Sequence, residues 1–203
     1  MFGLTVAEIK ILKRLNTPKK IQDFLESLPF NFEPNGDVLR SPRRVLKEGG
    51  AHCIEGALVA AAALLINGER PLLLDLRAAK HDFDHVVTLF KKDGHWGAIS
   101  KTNHGVLRYR DPINQTVREL AMSYFHEYFD DKGRKNLRAY SRPFDLRPYL
   151  KRGWLTDEND LWYIERALDD SPHERILTKS QMARLRRATP VEIATGKIVE
   201  WKR

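Results

Sequence analysis

The length, composition and charge of the chain predict one globular domain of ordinary size. Its 203 residues, 42% of them hydrophobic and 31% charged, exclude a disordered chain and a membrane protein. The net charge of +8 is uneven, since residues 1–131 carry 18 Lys or Arg against 17 Asp or Glu, whereas residues 132–203 carry 17 against 10. The sequence therefore predicts a main domain over 1–131 and a basic C-terminal extension over 132–203 that packs on it.

Helix-start signals predict three short helices before residue 50. Thr5, with Glu8 three residues later, forms a capping-box pattern at the head of the first helix. A capping residue followed by proline, at Thr17-Pro18 and again at Ser41-Pro42, predicts the second and third helices. The third helix is expected to stop at the glycine pair 49–50.

From Cys53 onward the pattern predicts a buried helix followed by a small antiparallel sheet, which makes the fold class α+β. The run CIEGALVAAAALLIN suits a buried helix that ends at Asn67-Gly68, and PLLLDL suits a core strand. HVVTLF and WGAIS flank Lys92-Asp93-Gly94, and Asp-Gly between apolar runs is a strong hairpin signal. A further strand is predicted over Val106–Tyr109 and a helix over Thr116–Tyr128.

The C-terminal third combines basic residues with aromatic side chains, and short helices are expected around 158–168 and 180–187. Such a mixture can bind single-stranded nucleic acid, because cations neutralise phosphates and rings stack on bases. No recognised nucleic-acid-binding motif is present, so we favour buried aromatics and a solvated basic face. The residues concerned are Arg134, Lys135, Arg138, Arg142, Arg147, Lys151, Arg152, Arg184, Arg186 and Arg187, with Tyr140, Phe144, Tyr149 and Trp154.

Cys53 stands where a thiol can become a nucleophile. A free thiol has a pKa near ~8.5, so a reactive cysteine needs surroundings that favour the thiolate. Cys53 follows Gly49-Gly50 and heads the predicted buried helix, where unpaired N–H groups and the helix dipole favour negative charge. Its backbone N–H is also placed to stabilise an oxyanion. This context favours a nucleophile over an unreactive core cysteine.

A base for this thiol is available in His85, which opens the strand HVVTLF. A cysteine at a helix head is followed by a strand and then by a histidine at the start of a hairpin. The two segments that carry this order are GGAHCIEGALVAAAALLINGERPLLLDL and DHVVTLFKKDGHWGAIS. This order resembles the transglutaminase-like (papain-like) superfamily of cysteine proteases and acyltransferases, bacterial members included. The resemblance implies that 1–131 is a transglutaminase-like domain, with the nucleophile on the central helix and the base on the adjacent sheet.

The sequence leaves several candidates for the third catalytic residue, the one that orients His85. Members of this superfamily usually place an acid shortly after the tryptophan of the second hairpin strand, and that position is Ser100 in this sequence. A hydroxyl can accept the imidazole N–H, but it stabilises an imidazolium less than a carboxylate does. Asn103 is the other candidate, and Asp75 or Asp84 could take the role instead. His52, directly before the nucleophile, is the candidate for a second oxyanion donor.

Neither a metal nor an organic cofactor is predicted. His81, His85, His95, His104 and Cys53 offer nitrogen and sulfur ligands, but the sequence has no CxxC or HExxH motif and no HxxxH on a predicted helix. His81 and His85 are four residues apart. The three residues between them read as loop running into strand, where that spacing does not bring two side chains together.

The leading hypothesis is a cysteine hydrolase or acyltransferase acting on an amide or thioester, with a peptide or another amide as substrate. Cys53 would attack the carbonyl, and His85 would take and return the proton. Ser100 or Asn103 would orient His85, while the Cys53 N–H and His52 would hold the oxyanion. Peptidase, amidase, deamidase and transglutaminase all remain open. The competing hypothesis is an inactive transglutaminase-like module that binds a partner or nucleic acid through its basic third.

The remaining expectations concern location. A single cysteine cannot form an internal disulfide, and the first residues lack the order of a signal peptide, so we expect a cytoplasmic protein. The longest apolar stretch, Ile54–Ile66, is too short to cross a bilayer, and no membrane contact is expected. No exposed apolar stripe stands out in the sequence, so it predicts no particular oligomeric state.

Overall fold

The computed structural model describes residues 2–202, and its architecture is α+β, as predicted. The helices are α1 (Val6–Arg14), α2 (Pro18–Ser27), α3 (Pro42–Glu48), α4 (Cys53–Ile66), α5 (Val117–Ser123), α6 (Trp162–Asp169), α7 (Lys179–Ala183) and α8 (Pro190–Gly196), with a 3-10 helix at Arg147–Arg152. The strands are β1 (Leu72–Arg77), β2 (His85–Lys92), β3 (His95–Ile99), β4 (Arg110–Asn114), β5 (Ala139–Ser141), β6 (Phe144–Asp145) and β7 (His173–Arg175).

Side-chain caps begin the three N-terminal helices where the sequence predicts them. The Thr5 hydroxyl accepts from the Glu8 N–H, and the Glu8 carboxylate accepts from the Thr5 N–H, which completes the capping box of α1. Thr17 and Ser41 cap α2 and α3, each followed by a proline at the start of its helix. All three helices contact α4.

Helix α4 forms the centre of the fold. Twelve of its 14 residues are buried, which explains why an almost uninterrupted apolar run specifies it instead of an amphipathic pattern. It contacts α1, α2 and α3 as well as β2, where the Thr88 hydroxyl donates to the Ala57 carbonyl at 2.6 Å. Cys53 is its first residue, so the core fixes the position of that side chain. Within residues 2–202, no helix is both long and apolar enough to cross a membrane.

Every strand of the described residues belongs to one antiparallel sheet. The order is β4-β3-β2-β1-β5-β7, and β6 also pairs with β1. The predicted hairpin of β2 and β3 is confirmed: Asp93 and Gly94 form its turn with positive φ angles of 49° and 83°, as a tight hairpin turn requires. The register places Leu76 of β1 opposite His85 at the beginning of β2.

Two predicted elements near the sheet edge are corrected by the structure. Val106–Tyr109 is not a strand, because Leu107 takes a φ of 59° that interrupts an extended chain, and the strand is β4 instead. The helix predicted over Thr116–Tyr128 is the shorter α5. After α5 the chain turns, so that the Tyr128 hydroxyl reaches two backbone carbonyls at the β1 end and in the β1–β2 connection.

The residues after 132 contribute to the same core as the earlier ones. Strands β5, β6 and β7 extend the sheet beside β1. Trp154 is fully buried in the cluster of apolar side chains around α4. These three strands have only two or three residues each, too few to show an alternating pattern in the sequence. The division of the chain at residue 131 stays a prediction.

A close contact between α4 and the loop after β3 requires glycine at position 56. A Cβ atom on Gly56 would lie 2.4 Å from Lys101 Cβ and 3.0 Å from Lys101 Cγ. Lys101 is buried, and its ammonium donates to the carbonyls of Leu25 and Leu28 at the end of α2. Burial lowers the pKa of Lys101 to about 8. The colliding atoms belong to the fixed base of this side chain, so they cannot move aside easily.

We expect Gly56→Ala to destabilise the protein by about 1–3 kcal/mol through overpacking. Alanine in an ordinary helix interior is more stable than glycine by up to about 1 kcal/mol, so the expected sign is opposite to helix propensity. Urea denaturation measures the free energy of unfolding. Gly105→Ala is the control, because a Cβ there has no neighbour closer than 3.7 Å. Stabilisation by Gly56→Ala would contradict the close contact.

Candidate active site

The chain reaches the head of α4 through a glycine pair. Gly49 ends α3 and Gly50 follows it, with positive φ angles of 71° and 74°, which glycine adopts at little cost. The Ala51 N–H donates to the Pro29 carbonyl at 3.0 Å, and a Cβ on Gly50 would lie 3.2 Å from that same oxygen. The glycine pair therefore lets the loop before Cys53 lie directly against the segment that follows α2.

A buried ion pair holds the first turn of α4. Glu55 is fully buried, and its Oε1 accepts from the Arg40 Nε at 2.7 Å while its Oε2 accepts from the Arg40 Nη2 at 3.0 Å. Arg40 also donates to the Gly50 carbonyl at 3.0 Å. This bidentate pair joins the segment before α3, the glycine pair and the head of α4. In the sequence, the only sign of this ion pair is a charged residue, Glu55, inside an apolar run.

Glu55 has further partners that keep it ionised. Its Oε2 accepts from the Asn31 amide at 3.1 Å and from the His52 backbone N–H at 3.2 Å. Burial opposes ionisation, but Arg40 and the His52 charge hold the pKa of Glu55 below its ordinary value. A fixed negative charge therefore lies beneath the two residues that begin the helix.

His85 and Ser100 meet at the ends of neighbouring strands. His85 Nε2 lies 2.8 Å from Ser100 Oγ, and the Ser100 hydroxyl donates to the Leu107 carbonyl at 2.6 Å. Because that hydroxyl has one proton, its oxygen accepts from His85, and Nε2 carries the ring proton. His85 Nδ1 is then the nitrogen available to the Cys53 thiol. Ser100 thus lies where a group that orients His85 is expected.

Gln22 of α2 fixes the backbone of Ser100. The Gln22 Nε2 donates to the Ser100 carbonyl, and its Oε1 accepts from the Ser100 N–H, both at 2.9 Å. Gln22 is buried between Ile21 and Leu25 on the inner face of α2. Sequence reasoning missed this residue. The signal that could have found Gln22 is its position on the apolar side of a predicted helix, because a buried amide needs hydrogen-bond partners.

Asn103 and His52, the other predicted site residues, contact different groups. The Asn103 amide exchanges two hydrogen bonds with the Trp201 backbone, at 3.0 and 2.8 Å, so both of its polar atoms are directed away from His85. His52 Nε2 donates to the Val38 carbonyl at 3.0 Å, so Nδ1 is the ring nitrogen available for its interaction with the Cys53 side chain. The geometry favours Ser100 over Asn103 as the orienting group, and the role of His52 stays a prediction.

The charges around Cys53 favour its thiolate. Burial opposes ionisation, but interaction with the His52 and His85 imidazoles lowers the pKa of Cys53 to about 5. Burial likewise opposes charge on His52, whereas Cys53 and Glu55 raise the pKa of His52 to about 9. Between these pH values a thiolate beside an imidazolium is the expected state.

Cys53, His52 and His85 line one cleft of about 1250 Å³. Its walls come from the segment before α3, the β1–β2 connection, the loop after β3, and α6. Two aromatic side chains stand on its rim, Phe83 at 90% exposure and Trp162 at 36%. The cleft is larger than a typical drug-sized pocket.

Asp75 and Asp84, the alternative third members, have other partners. The Asp75 Oδ2 lies 2.8 Å from the His173 Nε2, a contact across 98 residues of sequence that sequence reasoning missed. Burial, together with the Asp84 charge, raises the pKa of Asp75 to about 6. Asp84 accepts the Ala78 N–H at 2.7 Å, which holds the loop just before His85.

Three carboxylates in the cleft wall have the spacing of a metal site. One oxygen each of Asp75, Asp84 and Asp169 lies within 4.8 Å of the other two. Arg77 already lies among them, with Nε 3.8 Å from both Asp75 and Asp84, so this guanidinium balances part of their charge. The histidines considered for a metal contact separate groups, with His81 near Asp130, His95 at the Asp93 carbonyl and His104 at the Gly196 carbonyl.

Comparison with known proteins gives only a distant similarity. The sequence matches no described protein family, and no curated protein is significantly similar to it. The chain is similar to calcium-bound LapG of Legionella pneumophila, with a TM-score of 0.37 and 19% identity over 47% of this chain and 59% of LapG. Two further LapG structures, one of them EGTA-treated, give a TM-score of 0.36 at 19% identity over 47% of this chain and 57% or 58% of theirs. A similarity this low says nothing about chemistry.

We expect Glu55→Gln to lower the free energy of unfolding by about 3–5 kcal/mol, because Arg40 would stay buried without its counter-charge. Glu48→Gln is the matched control. Glu48 also contacts Arg40, at 3.3 Å, but its side chain is 42% exposed, so the loss should be about 0–1 kcal/mol. Urea denaturation measures both variants, and equal losses would contradict the buried pair.

The same pair predicts a pH dependence. Since the pKa of Glu55 is lowered on folding, its stabilising contribution is present at neutral pH and is lost as the pH falls through the folded-state pKa. The stability difference between wild type and Glu55→Gln should therefore shrink at acid pH.

Proposed function

We propose that this chain is a cysteine hydrolase or acyltransferase that acts on an amide or thioester through Cys53 and His85, with Ser100 orienting His85. One arrangement carries the proposal. A thiol at a helix N-terminus interacts with two imidazoles, and one of these, His85, donates its remote N–H to Ser100. This is the papain-like order of nucleophile, base and orienting group.

The chemistry follows from these positions. The Cys53 thiolate attacks the carbonyl carbon, and the resulting oxyanion accepts from the Cys53 N–H, which at the first helical position has no intrahelical acceptor. The His85 imidazolium gives a proton to the leaving nitrogen or sulfur as its bond to carbon breaks, which leaves an acyl thioester on Cys53. Water or an amine, deprotonated by His85, then attacks the thioester and releases the thiolate. Water gives hydrolysis and an amine gives acyl transfer.

Ser100 limits the strength of this base. Its hydroxyl is held by the Leu107 carbonyl and orients the ring, but it brings no negative charge to stabilise the imidazolium. His52 offsets part of this deficit, because its raised pKa keeps a second positive ring beside the thiolate. The site thus relies on stabilising the nucleophile more than on strengthening the base.

The neutral third group also favours a second candidate function. Without a carboxylate behind His85, the domain could be a catalytically weak or inactive transglutaminase-like module that binds a partner, nucleic acid included, through its basic C-terminal third. Cys53 would then have the reactivity of an ordinary thiol.

Alkylation of Cys53 by iodoacetamide separates the two functions. We expect the rate to rise through an inflection near pH 5, because the thiolate is the reacting species and the pKa of Cys53 is about 5. His85→Ala should move the inflection toward the free-thiol value of ~8.5. His95→Ala, in the hairpin and away from the cleft, is the control. An inflection near ~8.5 in the wild type would eliminate the enzyme hypothesis.

The two candidate orienting residues are distinguished by the same titration. Ser100→Ala should raise the inflection, and it should slow alkylation below pH 5 by about 3–10-fold, the effect of one lost hydrogen bond, while the rate at neutral pH changes little. Asn103→Ala should leave the titration unchanged and instead increase protease cleavage near Trp201, because it releases that segment. A shifted titration in Asn103→Ala alone would assign the orienting role to Asn103.

A further inference from the structure

The cleft has the opposite charge to the chain as a whole. The chain carries a net charge of +8, yet ten Asp or Glu residues and five Lys or Arg residues line the cleft. Pairing removes charges of both signs. The Lys101 ammonium is turned to the end of α2, and Lys197 lies 3.6 Å from Asp131, one of the ten acids. Two more of the acids are paired with arginines outside the cleft: Glu127 with Arg110 and Asp130 with Arg134. The cleft therefore presents a negative surface on a basic protein.

Several of these carboxylates lie near one another. Glu165 and Asp169 lie four residues apart on α6 and so share one helix face. Asp37, from the segment before α3, lines the same cleft. Among residues 2–202, no Lys, Arg or His nitrogen lies within 4 Å of the Glu165 or Asp37 carboxylate. Burial raises the pKa of Glu165, and the charges of Asp169, Cys53 and Asp37 raise it further, while the His52 charge opposes this in part.

An independent observation comes from Asp75, which also lines the cleft. Asp75 is 1% exposed, and its Oδ1 has no hydrogen-bond partner in the described chain. A buried carboxylate oxygen without a donor is costly, so a donor from a bound molecule would stabilise it. Asp84 and Asp169 lie beside Asp75. We call these five carboxylates, Asp37, Asp75, Asp84, Glu165 and Asp169, the acidic face.

Aromatic rings flank the acidic face. Trp162 precedes Glu165 by one helical turn, so the two side chains are neighbours on α6. Phe83 precedes Asp84 and projects almost entirely into solvent. Such rings can cover the methylene stem of a lysine or arginine and attract its charged group. Arg77 lies among three of the five carboxylates, Asp75, Asp84 and Asp169, so Asp37 and Glu165 are the members of the acidic face that have no cation beside them in the described chain.

We infer that the acidic face binds a lysine or arginine side chain of a polypeptide substrate and so holds the neighbouring amide or thioester carbonyl at Cys53. The bound cation does not react; it positions the carbonyl. This specificity rests on the proposed function and names the substrate class of the same site.

Peptide electrophiles that differ in one side chain test the inference. Peptidyl vinyl sulfones would carry arginine, its neutral isostere citrulline, or glutamate at each position near the warhead in turn. Mass spectrometry of the intact protein measures the rate of Cys53 alkylation. We expect arginine to exceed citrulline by about tenfold or more at one position, as for a charge-assisted hydrogen bond, and glutamate to be slowest. The preference should fall as salt rises from about 50 to 500 mM.

Substitutions on α6 locate the effect. Glu165→Gln and Asp169→Asn should each reduce the arginine preference severalfold. Asp93→Asn is the matched control, because this carboxylate is exposed in the hairpin turn and does not line the cleft. Equal rates for the three side chains at every position would overturn the inference, as would an arginine preference unchanged in both α6 variants.

Iodoacetamide keeps this test separate from the test of the proposed function. It is small and uncharged, so it reports the thiol without the acidic face. A low thiol pKa with no charge preference would overturn the specificity and leave the enzyme hypothesis standing. An ordinary thiol pKa would overturn the proposed function, and the substrate class with it.

Discussion

The buried pair of Arg40 and Glu55 is the constraint on which the candidate active site depends. A carboxylate in a fully buried helix is tolerated only with a well-oriented counter-charge, and Arg40 supplies it in bidentate geometry. To do so, Arg40 brings the segment before α3 against the head of α4, together with the glycine pair. This contact holds one wall of the cleft, and the Glu55 carboxylate that Arg40 binds also accepts from the His52 backbone N–H.

In a catalytic triad the third member supplies a stabilising charge. Around Cys53, several groups share this electrostatic role. The helix end and two imidazoles all favour the thiolate, while Glu55 keeps His52 positive from below. Behind His85 stands only a hydroxyl. A carboxylate at Ser100 would strengthen proton abstraction, whereas the present arrangement favours a nucleophile that is already ionised.

The sequence could predict those helices and strands that short-range sequence signals specify. Caps and Asp-Gly chemistry located α1–α3 and the β2–β3 hairpin, and the apolar run located α4; these in turn positioned Cys53 and His85. Contacts between distant residues had no such signal. Gln22 reaches Ser100 across 78 residues and His173 reaches Asp75 across 98, and neither has a motif. Leu107 was misassigned to a strand because its left-handed backbone is imposed by tertiary structure, not by a turn-forming residue type.

The pairing of Asn103 with Trp201 has a consequence for the order of assembly. The loop that carries Ser100 continues directly into Asn103, whose side chain and backbone bind the segment around residues 200 and 201. Ribosomes deliver the chain from its N-terminus, so the cysteine helix and the hairpin emerge long before their last support. A nascent chain can thus form its core while the wall beside the histidine is still unsupported. The thiol therefore acquires its finished surroundings only after residues 200 and 201 have been synthesised.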